Sequence, residues 1–262
     1  MRQILLVLFS IGFSIMLGIF HPSFKTDAHP INPSLIAQST ATITPTAKSL
    51  DLELTDTSVR YLRDLDLLVF EQTVNGTAGQ TIPSAKGSVD GAPVLGYVFP
   101  TTLKAEDVGF GTVEGIVALA ITSHPDFDDT PLWDENNNLN FGDDGIVFHS
   151  HWVLLGQDDR VPGGLSVKQF DKADSRVVMP PTNPGMPMYL DSPGFDVTLK
   201  DNTLRVIVPA QRTHHNTTFK FDGVTAYMQV NTTNPSLPML GVYEAYSVSS
   251  GDLSLPYSVQ PQ

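Results

Sequence analysis

The stretch Gly145-Ile146-Val147-Phe148-His149-Ser150-His151-Trp152-Val153-Leu154-Leu155 decides how this chain is read. It is the most apolar run beyond the N-terminus, and two histidines stand one residue apart in its middle. In a β-strand, residues i and i+2 point the same way. His149 and His151 are therefore expected on one face, with Val147, Val153 and Leu155. Ile146, Phe148, Trp152 and Leu154 take the other face, with Ser150 among them. A strand apolar on both faces belongs in the middle of a sheet. Two imidazoles side by side on such a strand can converge on one metal ion.

Working outward, the same period of two recurs. Leu65 to Val74, Val94 to Phe99 and Val113 to Thr122 read as strands, the last with Ala118 and Ala120 permitting close packing. Downstream, Leu165 to Phe170 is a weak strand. Phe195–Leu199 and Leu204–Val208 flank Asp201-Asn202, a hairpin turn whose residues tolerate positive φ. Phe219 to Val230 alternates around a bend at Gly223, and Leu240 to Val248 is the last clear strand. Leu103 to Val108 reads as one helical turn. With 20 Gly and 20 Pro, the chain favours turns over long helices. The expectation is an all-β domain over residues 51–262: a single antiparallel β-sandwich, jelly-roll-like, with long irregular loops.

The segment Ser123 to Asp144 is long, polar and acidic, and it feeds straight into the histidine strand. Loops of this length are uncommon and often functional. Asp134, Asn136, Asn138 and Asn140 alternate as oxygen ligands do in calcium loops. An EF-hand would need Gly and Glu where Leu139 and Gly145 stand, so calcium would bind here in another way.

A metal centre needs more ligands than His149 and His151. Zinc and copper both accept neutral imidazole nitrogen. The chain has seven histidines and no cysteine, so thiolate sites and disulfides are excluded. His214 and His215 lie between two strands and are preferred as the source of a third ligand over His124, which closes a strand before Pro125. Glu244 is a weaker carboxylate candidate. Met179, Met186 and Met188 sit in a Pro-rich loop and offer thioethers suited to Cu(I), though plugging the core is their commoner role.

His149-Ser150-His151 resembles the His-x-His strand of cupins, which implies a jelly roll and a metal. The Glu expected a few residues on is replaced by Leu155 or Gly156, and the later Pro-x-Gly…His box is missing. Phe148-His149-Ser150-His151-Trp152 also resembles the zinc strand of α-type carbonic anhydrases, but no histidine follows some two dozen residues later. Neither resemblance extends beyond about a dozen residues, so neither activity is carried over.

Arg2 followed by the apolar run Ile4 to Phe20 matches a secretory signal ending near Ala28, with residues 29–50 a Ser/Thr/Pro-rich tether. The expected location is secreted or periplasmic, with no membrane contact beyond the signal segment. A net charge of −13 repels phosphate backbones and excludes nucleic acid as a partner. No Gly-x-Ser-x-Gly elbow is present to support a serine hydrolase.

Two functional readings follow. The first is an exported protein binding zinc or copper through His149 and His151, with water activation for hydrolysis or hydration if a position stays open, and Asp143 or Asp144 as base. The second is a non-catalytic module that holds a carbohydrate, peptide or other small molecule. Trp133, Trp152 and Tyr189 would be its stacking surfaces, over a calcium-stabilised acidic loop. Oligomeric state is not legible in the sequence.

Overall fold

The computed structural model describes residues 47–130 and 134–262, which belong to one compact unit. The expected signal and most of the tether lie outside the described residues, as does Trp133. The fold is all-β. Its strands are β1 (Leu54–Leu62), β2 (Leu67–Val74), β3 (Pro93–Pro100), β4 (Ile116–Ser123), β5 (His149–Gln157), β6 (Leu165–Val167) and β7 (Leu190–Asp191). They continue as β8 (Val197–Lys200), β9 (Thr203–Pro209), β10 (Lys220–Phe221), β11 (Val224–Val230), β12 (Leu240–Val248), β13 (Tyr257–Ser258) and β14 (Gln260–Pro261). Among the described residues the helical segments are 3-10 turns of three or four residues, one of them at Ala105–Val108.

The sheets depart from a single sandwich. One sheet runs β4-β3-β11-β12-β6-β5, and β4 also pairs with β5, so six strands close into a barrel. β7 attaches to the side of β5 through Trp152↔Asp191 and Val153↔Leu190. A second sheet has the order β14-β1-β2-β9-β8, and β10 pairs with β13. The closure rests on the β4–β5 register, in which Ala120 faces His151 and Thr122 faces His149. The jelly-roll expectation gives way because a jelly roll leaves open sheets, whereas β5 here meets strands on both sides and closes the ring.

Side-chain alternation sorts the barrel strands into two cores. Phe99, Leu119, Ile121, Trp152 and Leu154 point out of the barrel and pack against Phe70, Leu68, Val206 and Val208 of the five-stranded sheet. Phe70 meets Phe99 and Trp152 edge-on, at centroid distances of 5.3 and 6.3 Å. Each large apolar side chain so buried contributes about 1.5–3 kcal/mol. Val94, Val98, Ala118, Ala120, Val153 and Leu155 point inward and form the second core. The alanines expected to allow close packing thus line the lumen. β5 serves both cores, one through each face.

Candidate metal centre

The site forms where β4 ends and β5 begins. The first imidazole is His124, one residue beyond β4, whose N–H donates to the Gly145 carbonyl at 2.8 Å. Ser123 Oγ donates to the Ile146 carbonyl at 2.8 Å, so the end of β4 is tied to the approach of β5. The second and third imidazoles are His149 and His151, on one face of β5. The fourth member is Asp129, on the loop after His124. All four side chains are nearly sealed from solvent, the three rings at 1–2% exposure and the Asp129 side chain at 5%.

Their ligand atoms converge. His124 Nε2 lies 3.0 Å from His149 Nε2. Asp129 Oδ1 lies 3.0, 3.1 and 3.7 Å from Nε2 of His124, His149 and His151. Four ligands at about 2.0–2.1 Å from a tetrahedral ion stand about 3.3–3.4 Å apart. The observed spacings bracket that figure, and all four atoms lie within 4.8 Å of one another. The group could hold a metal ion.

The outer hydrogen bonds aim the rings. His124 Nδ1 contacts the Phe127 carbonyl at 3.0 Å and His149 Nδ1 the Val147 carbonyl at 2.6 Å. A carbonyl only accepts, so both Nδ1 atoms carry the proton. A neutral imidazole has one proton, which leaves both Nε2 atoms as bare lone pairs facing each other across 3.0 Å. Asp129 adds a carboxylate oxygen to the same spot. Such a nest of acceptors repels itself unless a cation or an extra proton stands at its centre. His151 Nδ1 is held by Ser192 Oγ at 3.0 Å. Outer contacts of this kind orient metal-bound histidines.

Electrostatics inside the cluster are uneven. Burial pushes His151 down to about 3. Burial also disfavours a charged His124, but the Asp129 carboxylate outweighs it and the ring ends above its ordinary value. Asp129 is held well below the usual carboxylate range, because the imidazoles around it overcome the cost of its burial. Glu135, 4.0 Å from His149 Nδ1, is pushed up to about 7, chiefly by burial.

The other candidates fall elsewhere. His214 and His215 are exposed, on left-handed backbone after the 3-10 turn Ala210–Thr213. That turn follows β9 of the five-stranded sheet, not a barrel strand, and His215 Nδ1 faces Asp66 Oδ2 at 3.3 Å instead. The third imidazole of the cluster is therefore His124, reversing the order expected from sequence. Glu244 is exposed on β12.

Asp143 and Asp144 are not in the cluster. Asp143 accepts from the side-chain amides of Asn136 and Asn138. Asp144 Oδ1 accepts from the backbone N–H of Glu135, at 3.1 Å. Asp134 accepts from the N–H groups of Asn138 and Leu139, and Asn138 and Asn140 side chains cap their own turns. The loop thus spends Asp134, Asn138 and Asn140 on its own N–H groups, whereas Asn136 Oδ1 and Asp144 Oδ2 are buried without a partner among the described residues. Trp152 and Tyr189 are buried at 1% and 7% exposure, so neither offers a face to a sugar.

No known protein family, curated protein or solved structure matches this chain. The likeness to cupins and α-type carbonic anhydrases stays with the few residues that carry it, and the site is read from its own chemistry.

Proposed function

We propose that this is an exported metalloprotein that holds zinc in a His3Asp centre at one end of a closed β-barrel. The supporting observation is the set of three Nε2 atoms and one carboxylate oxygen, 3.0–3.7 Å apart where contacts are measured, with two rings protonated on the far side. Zinc suits four N/O ligands in a tetrahedron. Copper(I) would favour thioethers, and Met186 and Met188 line the same lumen as His124, Asp129 and His151, so copper is the alternative ion. Export rests on Arg2 and the apolar run Ile4 to Phe20.

With four protein ligands, the ion has no vertex reserved for water, so hydrolysis is not the activity the geometry favours. The centre instead fastens the acidic loop to the barrel and presents a charged face to the lumen. His124, Asp129 and His151 all line that lumen. The ion is thus a structural one that holds the acidic loop against the barrel end.

Metal analysis of tag-free protein tests it. Close to one zinc per chain is expected, and His151→Ala should lose it while keeping its β-sheet circular dichroism. Wild-type protein that takes up no zinc after dialysis against it would refute the reading.

A further inference from the structure

Three side-chain oxygens of the acidic loop are buried with no hydrogen-bond partner among the described residues: Glu135 Oε2, Asn136 Oδ1 and Asp144 Oδ2. Asp144 is wholly buried, and the Glu135 side chain is 9% exposed. A buried acceptor without a donor is costly, and more so when it carries charge.

The three belong to one place. Asp144 Oδ1 accepts the backbone N–H of Glu135 at 3.1 Å and of Asn136 at 3.4 Å, so its carboxylate lies against the two residues that carry the other oxygens. Asn136 Nδ2 donates to Asp143 Oδ1 at 3.0 Å, which spends the donor end of the amide and leaves its oxygen over. Glu135 Oε2 is 4.0 Å from His149 Nδ1, beyond hydrogen-bond reach, and the proton on that nitrogen already goes to the Val147 carbonyl.

Charge narrows what is missing. Residues 123–157 contain no Lys or Arg. Among the described residues, the Lys and Arg ion pairs reach Glu53, Glu71, Asp158 and Asp174, none of which is in this loop. A divalent ion in the His3Asp centre, with Asp129, Glu135 and Asp144 all ionised, still leaves one net negative charge in the buried region. Burial first, with the Asp144 carboxylate adding to it, disfavours an ionised Glu135. A bridging water would donate to two of the oxygens but leave that charge in place. Buried charges are paired or coordinate a metal.

We propose that Glu135 Oε2, Asn136 Oδ1 and Asp144 Oδ2 bind a calcium ion, in a second cation site distinct from the histidine cluster. All three donors are hard oxygens, which suits calcium over zinc or copper. Water and loop carbonyls complete its shell of about six to eight ligands. Magnesium demands a near-ideal octahedron and is the poorer match for oxygens carried on one irregular loop. The unpartnered oxygens stand whether or not the histidines hold zinc.

The test is calorimetric titration of the full, tag-free chain with calcium, and separately with magnesium, before and after zinc loading. One calcium per chain is expected in both forms, with a Kd below about 1 mM, and magnesium should bind about tenfold or more weakly. Asp144→Asn should weaken calcium by at least about tenfold, because it removes ligand charge, while zinc content and β-sheet circular dichroism are unchanged. Glu135→Gln serves if Asp144→Asn does not fold. Asp128→Asn removes one charge from the same loop without touching the three oxygens, and should weaken calcium less than about threefold. No saturable calcium binding, or magnesium matching calcium, overturns the proposal. Equal losses in Asp144→Asn and Asp128→Asn overturn it as well, by showing diffuse attraction to an acidic loop. Calcium heat that vanishes on zinc loading also overturns it, since the ion would then sit among the histidines. A chain that binds calcium but no zinc leaves this site standing and refutes the zinc reading.

Discussion

Gly145 controls the metal cluster without belonging to it. A Cβ placed there would lie 2.2 Å from the Phe127 carbonyl oxygen and 3.2 Å from His124 Nδ1. The Phe127 carbonyl is the acceptor that fixes the His124 ring, and that ring stacks on Phe127 at a 4.0 Å centroid distance. Any side chain at 145 must push this carbonyl aside and turn the imidazole. Gly145→Ala should therefore weaken zinc binding by about 10- to 100-fold, the usual cost of losing an outer hydrogen bond to a metal-bound histidine. Competition with a chromophoric chelator measures it, and unchanged affinity would show that His124 is not aimed by this contact. The sequence contained every atom of this arrangement but ranked it poorly. Asp126, Asp128 and Asp129 are equivalent acids in one loop, and only the return of the chain after His124 selects Asp129.

At the scale of elements, the period-two signal located β2, β3, β4, β5, β9, β11 and β12 to within a few residues. Asp201-Asn202 joins β8 to β9, as the turn residues predict, with Asp201 at φ 55°. Gly223 separates β10 from β11, where a Cβ would strike Thr57 Oγ1 at 2.7 Å. β1 escaped notice because Thr55, Asp56, Thr57 and Ser58 run through its first half without an apolar partner. Closure of the barrel was not legible, since it joins β4 to β5 across a polar loop that hides their pairing.

The hairpin from β5 to β6 carries its own clasp. Asp158 accepts from Arg160 Nε and Nη2 at 2.7 and 2.6 Å and from Ser166 Oγ at 2.6 Å. These bonds, Arg160 first, hold its carboxyl well below the usual carboxylate range. A depressed carboxyl adds stability that is present above its unfolded pKa, about 3.9, and is lost as pH falls toward the folded value. Asp158→Asn should cost about 1–2 kcal/mol at neutral pH. Urea unfolding at several pH values should show the gap to wild type closing below about pH 4. A gap that persists in acid would mean that packing, not charge, makes the contribution.

For the whole molecule, β5 couples chemistry to stability. One face carries His149 and His151, and the other buries Trp152 and Leu154 against the core shared with the five-stranded sheet. A cation that relieves repulsion on the first face therefore steadies the strand that closes the barrel and anchors the second layer. Metal that binds only the folded chain stabilises it by mass action, about 4 kcal/mol when free zinc exceeds its Kd a thousandfold. For a domain of this size, that is worth about 8–16 °C in Tm. Chelator-stripped protein should thus melt about that much lower, and in a single transition, because loss of β5 undoes both cores together. Differential scanning calorimetry of stripped and reloaded protein decides it. Two separate transitions would show that barrel and sheet unfold independently, and equal melting temperatures would show that the four converging side chains fold without help from a metal.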